Sequence, residues 1–194
     1  MVSPACPLLE IAGNLPVPHT PPHSRACRPV SLAEAAAHAD ALAQGGDERA
    51  LAVLRIQWDE EIEAGARDAD YRIRAQAYRA IAQFRFRKKV ELLRRGLEDE
   101  SPAVRGSSLI ALESLSRSHP GDVNSFRPQL HELAARDPNA AVQRLAVICL
   151  KNGTPQRDTL QLLEGIAESE DADPELRKTA RVVQSALKKK ALAK

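Results

Sequence analysis

Four times along the chain the same order of polar and apolar positions returns, each time counted from an aspartate. An aliphatic residue stands five places on (Asp68 to Ile73, Asp99 to Val104, Asp137 to Val142, Asp171 to Leu176). A basic residue follows at once as Arg74, Arg105 and Arg177, with Gln143 in the third copy, and a small residue stands nine places from the aspartate: Ala77, Ser108, Ala146 and Ala180. That spacing is helical. A second amphipathic stretch precedes each of these helices. The first carries Leu51, Leu54, Trp58 and Ile62 and ends near Gly65; the second is a basic helix from Arg85 to Arg95; the third surrounds Phe126, Leu130 and Leu133; the fourth holds Leu160, Leu163 and Ile166. The pattern predicts two-helix units whose aspartates recur 31, 38 and 34 residues apart, the surplus falling in the turn chemistry of residues 116–122. Trp58, the only tryptophan, falls on the apolar stripe of its helix, which favours packing over a ligand platform. Cys149 falls where Ala80 and Ala111 stand in other units, so it reads as a small core residue and not as a nucleophile.

The N-terminal stretch breaks the pattern. Residues 1–30 hold Pro4, Pro7, Pro16, Pro18, Pro21, Pro22 and Pro29, which excludes a helix and predicts a disordered or extended tail. Cys6, His19, His23 and Cys27 lie there, but no compact turn brings them together as a metal site, and no metal or cofactor is expected. Leu8, Leu9, Ile11, Leu15 and Val17 could instead serve as apolar anchors of a partner-binding peptide. Order is expected from Ser31, where Ser31-Leu32-Ala33-Glu34 has the form of a capping box opening an N-terminal capping helix that stops at Gly45-Gly46.

Composition narrows the fold class to all-α. Hydrophobic residues make up 43% of the chain but aromatics only 3%, so Leu, Ala, Val and Ile must build the core. With 28 basic and 26 acidic residues the net charge is +2, and no global field directs the protein to nucleic acid or to an anionic membrane. No apolar run spans a bilayer, no secretory pattern opens the chain, and three cysteines do not make a disulfide framework; a cytoplasmic location without membrane attachment follows as the expectation.

Two-helix units with Asp-x-x-Pro-x-Val-Arg at the turn resemble HEAT repeats, particularly the bacterial variety of phycobilin-lyase-type proteins. The motif is clearest at Asp99-x-x-Pro102-x-Val104-Arg105 and Asp171-x-x-Pro174-x-Leu176-Arg177; the first unit lacks the proline, and the third shifts it to Pro138. The resemblance covers about residues 48–190 and implies a right-handed α-solenoid of about four units over 31–194. It also implies a structural ladder between neighbouring units, with Asp68, Asp99, Asp137 and Asp171 serving with Arg74, Arg105 and Arg177. In such arrays the second helices line a concave inner face, whose solvent side would draw on Arg72, Gln76, Arg79, Ser107, Arg144, Lys178 and Arg181. That basic balance would favour an acidic segment of another protein, or phosphates.

Enzyme signatures are absent: there is no phosphate-binding glycine loop, no His-Glu-x-x-His, no nucleophile elbow and no paired-cysteine motif, and no catalytic residue is assigned. The leading expectation is therefore a non-catalytic protein–protein interaction scaffold. The alternative is nucleic-acid binding of the DNA-alkylation-repeat kind through a patch of Arg85, Arg87, Lys88, Lys89, Arg94 and Arg95, although few aromatics are available for stacking on bases. Bilin-lyase chemistry rests on the resemblance alone.

Overall fold

A computed structural model describes residues 31–117 and 119–193; the proline-rich segment, with its candidate metal ligands and apolar anchors, lies outside the described residues. The described residues form ten α-helices and one short 3₁₀ turn, and no strand. Helix α1 (Leu32–Gly45) begins at Ser31, whose hydroxyl accepts the Glu34 amide, and ends at Gly46, which takes the left-handed conformation (φ 75°) that closes a helix cheaply only at glycine. Asp47 caps α2 (Glu48–Gln57) by accepting the Ala50 amide.

The first amphipathic stretch is not one helix. It breaks at Trp58 (φ −110°, ψ 9°), which ends α2 and precedes α3 (Asp59–Gly65). Leu51, Leu54 and Ile62 are buried and Trp58 is half-buried against the core. Helix α4 (Tyr71–Gln83) follows, capped by Asp70.

The basic stretch departs further from expectation. Arg85 sits at φ 49°, a left-handed conformation that β-carbon-bearing residues rarely adopt, and this turns the chain out of α4. Phe86 then plugs the core, residues Arg87–Lys89 make the 3₁₀ turn, and only Leu92–Leu97 form α5. Burial of Phe84 and Phe86 on both sides of Arg85 outweighs the helical propensity of the intervening cations. Helices α6 (Pro102–Ser116), α7 (Pro120–Arg136, with Pro128 inside it), α8 (Ala140–Leu150), α9 (Arg157–Glu168) and α10 (Pro174–Leu192) complete the chain.

Helices pair as α3 with α4, α5 with α6, α7 with α8 and α9 with α10, and the second members α4, α6, α8 and α10 pack successively on one another, with α1 covering the outer side of α4. This is the stacking of an α-solenoid, one continuous core running along the stack. The small residues nine places from each aspartate, Ala77, Ser108, Ala146 and Ala180, are all inaccessible to solvent, as are Ala80, Ala111 and Cys149. Burial drives the Cys149 thiol well above its ordinary pKa, and its S–H donates to the Leu109 carbonyl at 3.1 Å, so it is a packing residue. Val104, Val142 and Leu176 are buried, whereas Ile73, their counterpart in the first unit, is 42% exposed.

Polar stitches join the pairs. The buried Arg127 of α7 donates to the Thr159 hydroxyl of α9 at 2.6 Å and to the Thr154 carbonyl at 3.0 Å. His131 Nε2 lies 3.0 Å from the same hydroxyl, and burial, then the Arg127 charge, keeps that imidazole below its ordinary pKa.

One contact is close enough to be decisive. A β-carbon on Gly96 would lie 2.1 Å from the Ser108 hydroxyl and 2.7 Å from the ring of the fully buried Tyr78, so α5 meets α4 and α6 only because residue 96 has no side chain. Gly96→Ala is expected to lower the unfolding free energy by about 1–3 kcal/mol through overpacking. Gly165→Ala in α9, where nothing lies within 4 Å, is expected to raise it by about 0.5–1 kcal/mol through helix propensity. Urea titrations followed by circular dichroism measure both.

Candidate functional site

Two surfaces carry the residues singled out from the sequence: the edge where the turns meet and the solvent side of the second helices. On the edge, Arg74 Nε and Nη2 donate to the two carboxylate oxygens of Asp99 at 2.8 and 2.9 Å, while its Nη1 donates to the carbonyls of Asp68 and Ala69, both at 2.9 Å. Arg105 repeats the construction one unit on, to Asp137 at 2.7 and 2.9 Å and to the carbonyls of Asp99 and Glu100 at 2.8 and 3.0 Å. These are bidentate, charge-assisted pairs between neighbouring units. Each acceptor aspartate also takes a backbone amide of its own turn, Ser101 at Asp99 and Asn139 at Asp137.

The implied ladder extends no further. Asp68 contributes its carbonyl to Arg74 and accepts the Asp70 amide, but among the described residues no arginine reaches its carboxylate. Gln143 stands where an arginine would reach Asp171, and neither Asp171 nor Arg177 makes an ion pair among the described residues.

The basic cluster is largely consumed by internal pairing. Arg85 lies 3.6 Å from Asp40 and donates to the Ser114 hydroxyl; Arg87 pairs with Asp122; the buried Lys89 pairs with Asp59 and Glu63. Arg94 bonds Glu91 and Gln129 and stacks on the Phe126 ring, 4.1 Å from its centroid. Only Lys88 and Arg95 of the six stand exposed with no carboxylate partner among the described residues. A cavity of about 960 Å³ adjoins this turn, but its rim mixes Arg55, Arg85, Arg87 and Lys88 with Glu48, Asp59, Glu60 and Glu61, which is not an anion-selective lining.

On the second helices, Arg72, Gln76 and Arg79 form one exposed stripe of α4 at spacings of four and three. Arg72 stacks on Tyr71 at 5.7 Å, and no carboxylate pairs with Arg79 among the described residues. The equivalent stripe is different on the following helices. On α6 it reads Ala103, Ser107 and Ile110, with Ser107 buried at 2% exposure, which corrects its expected place on the solvent side. Next to it, Gly106 faces α8, whose Leu145 lies 3.5 Å from where a Gly106 β-carbon would sit. On α10 the stripe ends in Val182, 60% exposed, and Ile110 is 42% exposed. Arg144 is exposed, Lys178 faces Glu175 at 3.9 Å, and Arg181 turns back to donate to the Ala167 carbonyl of α9 at 3.0 Å. The face is therefore basic at α4 and mixed further on, where the exposed aliphatics Ile110 and Val182 stand among Arg144 and Lys178. Ile110 and Val182 went unnoticed in the sequence because aliphatics read as core; their shared register with Arg79, eleven places from the aspartate, was the available signal.

The comparisons with known proteins coincide with the first part of this geometry. Residues 60–131 match the family model for HEAT repeats. The match runs from α3 into α7 and contains the Arg74–Asp99 rung, so it supports a HEAT-repeat protein on the segment where helix pairing and turn chemistry agree. No curated protein matches the chain. Among the described residues no helix of this stack is long and apolar enough to cross a membrane, and no group of three metal-ligating side chains converges.

The two rungs should be costly to break. The Asp137 side chain is 2% exposed, so Arg105→Met leaves a buried carboxylate without its cation, with an expected loss of about 3–5 kcal/mol in chemical unfolding; adding Asp137→Leu should recover most of it. At Asp99, burial acts to raise the carboxyl pKa, but the Arg74 hydrogen bonds, the Ser101 amide and the charges of Arg74 and Arg105 outweigh it, and the pKa is held below its ordinary 3.8. A depressed carboxylate stabilises the fold fully above its unfolded pKa and loses that contribution as pH falls through the folded one. Thermal unfolding should therefore show a loss of stability beginning below about pH 4, and Asp99→Asn should flatten that part of the profile.

Proposed function

We propose that this protein is a non-catalytic interaction scaffold, a right-handed HEAT-like solenoid of about four units in the cytoplasm, whose second-helix face holds a segment of another protein. The observation that carries the reading is the composition of that face. Arg72 and Arg79 are exposed and neither forms an ion pair among the described residues, and beyond them Ile110 and Val182 expose apolar surface in the same register. A segment bearing acidic residues followed by apolar ones would meet both zones, the charges setting register and the aliphatics adding burial. Enclosure of Arg85, Arg87, Lys89 and Arg94 in internal pairs removes most of the cation count that phosphate-backbone binding requires, which favours a protein partner over nucleic acid.

Charge reversal tests this directly. The double variant Arg72→Glu/Arg79→Glu is expected to reduce capture of a nuclease-resistant partner from the native host by tenfold or more, about 1.4 kcal/mol or greater. Helical content and the unfolding midpoint should stay within the range of surface substitutions, about 0.5 kcal/mol. Undiminished capture would overturn the reading, and collapse of the fold would assign the two arginines a structural role.

A further inference from the structure

The third seam between helix pairs carries the acceptor residues of the first two in the same register, with its aspartate exposed, and lacks their guanidinium. At the Arg74 seam the receptor consists of the Asp99 carboxylate and the carbonyls of Asp68 and Ala69, six and five residues before the arginine; at the Arg105 seam it is the Asp137 carboxylate with the carbonyls of Asp99 and Glu100. Applied to position 143, the same register names the Asp171 carboxylate and the carbonyls of Asp137 and Pro138. Position 143 is glutamine, whose side chain is shorter than arginine's and carries no charge. Among the described residues no hydrogen bond reaches the Asp171 carboxylate, and none of the loop or side-chain bonds ends on the Asp137 or Pro138 carbonyl. A cavity of about 690 Å³ opens at this place, and Asp137, Pro138, Gln143 and Asp171 are in its wall, with Leu162 and Ile166 from α9 as its apolar side.

We propose that this seam is a binding site for a guanidinium group carried by another polypeptide, an arginine side chain entering in trans where Arg74 and Arg105 lie in cis. Two independent features specify the ligand. The first is the internal precedent: the same set of one carboxylate and two carbonyls holds a guanidinium twice in this chain, through Nε and Nη2 on one edge of the fork and Nη1 on the other. The second is the cavity, which is present at the seam without an arginine and gives a side chain a route in from solvent. A lysine fits the receptor poorly, because a single ammonium nitrogen cannot address a carboxylate edge and two carbonyls in the plane that a guanidinium spans. The apolar wall suits the methylene stem of an arginine. This site lies on the turn edge and does not depend on the second-helix face invoked above.

The test uses the full chain, with N-acetyl-arginine methylamide and its lysine counterpart as probes at matched ionic strength, read by amide chemical shifts of Gln143, Asp171 and Ala172. The arginine probe should give a saturable shift at these amides, with the lysine probe at least about tenfold weaker. Asp171→Asn should abolish the response. Gln143→Arg should also abolish it, by completing the seam in cis, and should raise the unfolding temperature. Equal responses to the two probes, no saturable shift with arginine, or a Gln143→Arg variant unchanged in both stability and probe response would each overturn the proposal. The Arg72→Glu/Arg79→Glu variant should keep the arginine response in full, which separates failure of this site from failure of the scaffold reading.

Discussion

Close approach of one second helix to the next is the constraint on which the rest of this structure depends. It is met by rows of small buried residues, Ala77, Ser108, Ala146 and Ala180 in one row and Ala80, Ala111 and Cys149 in another, and by the absence of a side chain at Gly96, where α5 fits under Tyr78 and Ser108. Small residues leave no room for voids or rotamer adjustment, so the second helices behave as one packed layer. The first helices are under looser control. They accommodate a break at Trp58, a left-handed Arg85 and a proline inside α7 without interrupting the second-helix layer.

That packed layer determines what the charges can do. Where neighbouring turns are brought together, Arg74 and Arg105 are drawn out of solvent and fixed by five and four hydrogen bonds respectively, so they act as joints and not as ligand-binding cations. Arg85, Arg87 and Lys89 are likewise tied, because the irregular turn folds them back over Asp40, Asp59, Glu63 and Asp122. Outward on the second helices stand a short basic stripe on α4, Arg144 on α8 and the aliphatic Ile110 and Val182 on α6 and α10. The seam at Gln143 is the place where the jointing rule lapses: the layer continues through it on packing alone, and the acceptor groups of the rung are left facing a cavity.

The sequence by itself determined the helical units, their register and the small-residue rows, because helical period and turn chemistry are local properties of the chain. The capping of α1 by Ser31 and of α2 by Asp47, the burial of Val104, Val142 and Leu176, and the packing role of Cys149 could all be read in that way. Only the tertiary structure decided the conformation from Arg85 to Leu97, since two buried phenylalanines flanking a strained residue compete with local propensity and win through contacts distant in the chain. It also decided which arginines are joints and which are surface, because a guanidinium's partner lies about 25–35 residues away and no spacing within one helix reveals it. Ser107 left its expected place on the solvent side for the same reason: a residue's exposure on a second helix is set by how closely the next helix approaches, and that distance is a property of two units together.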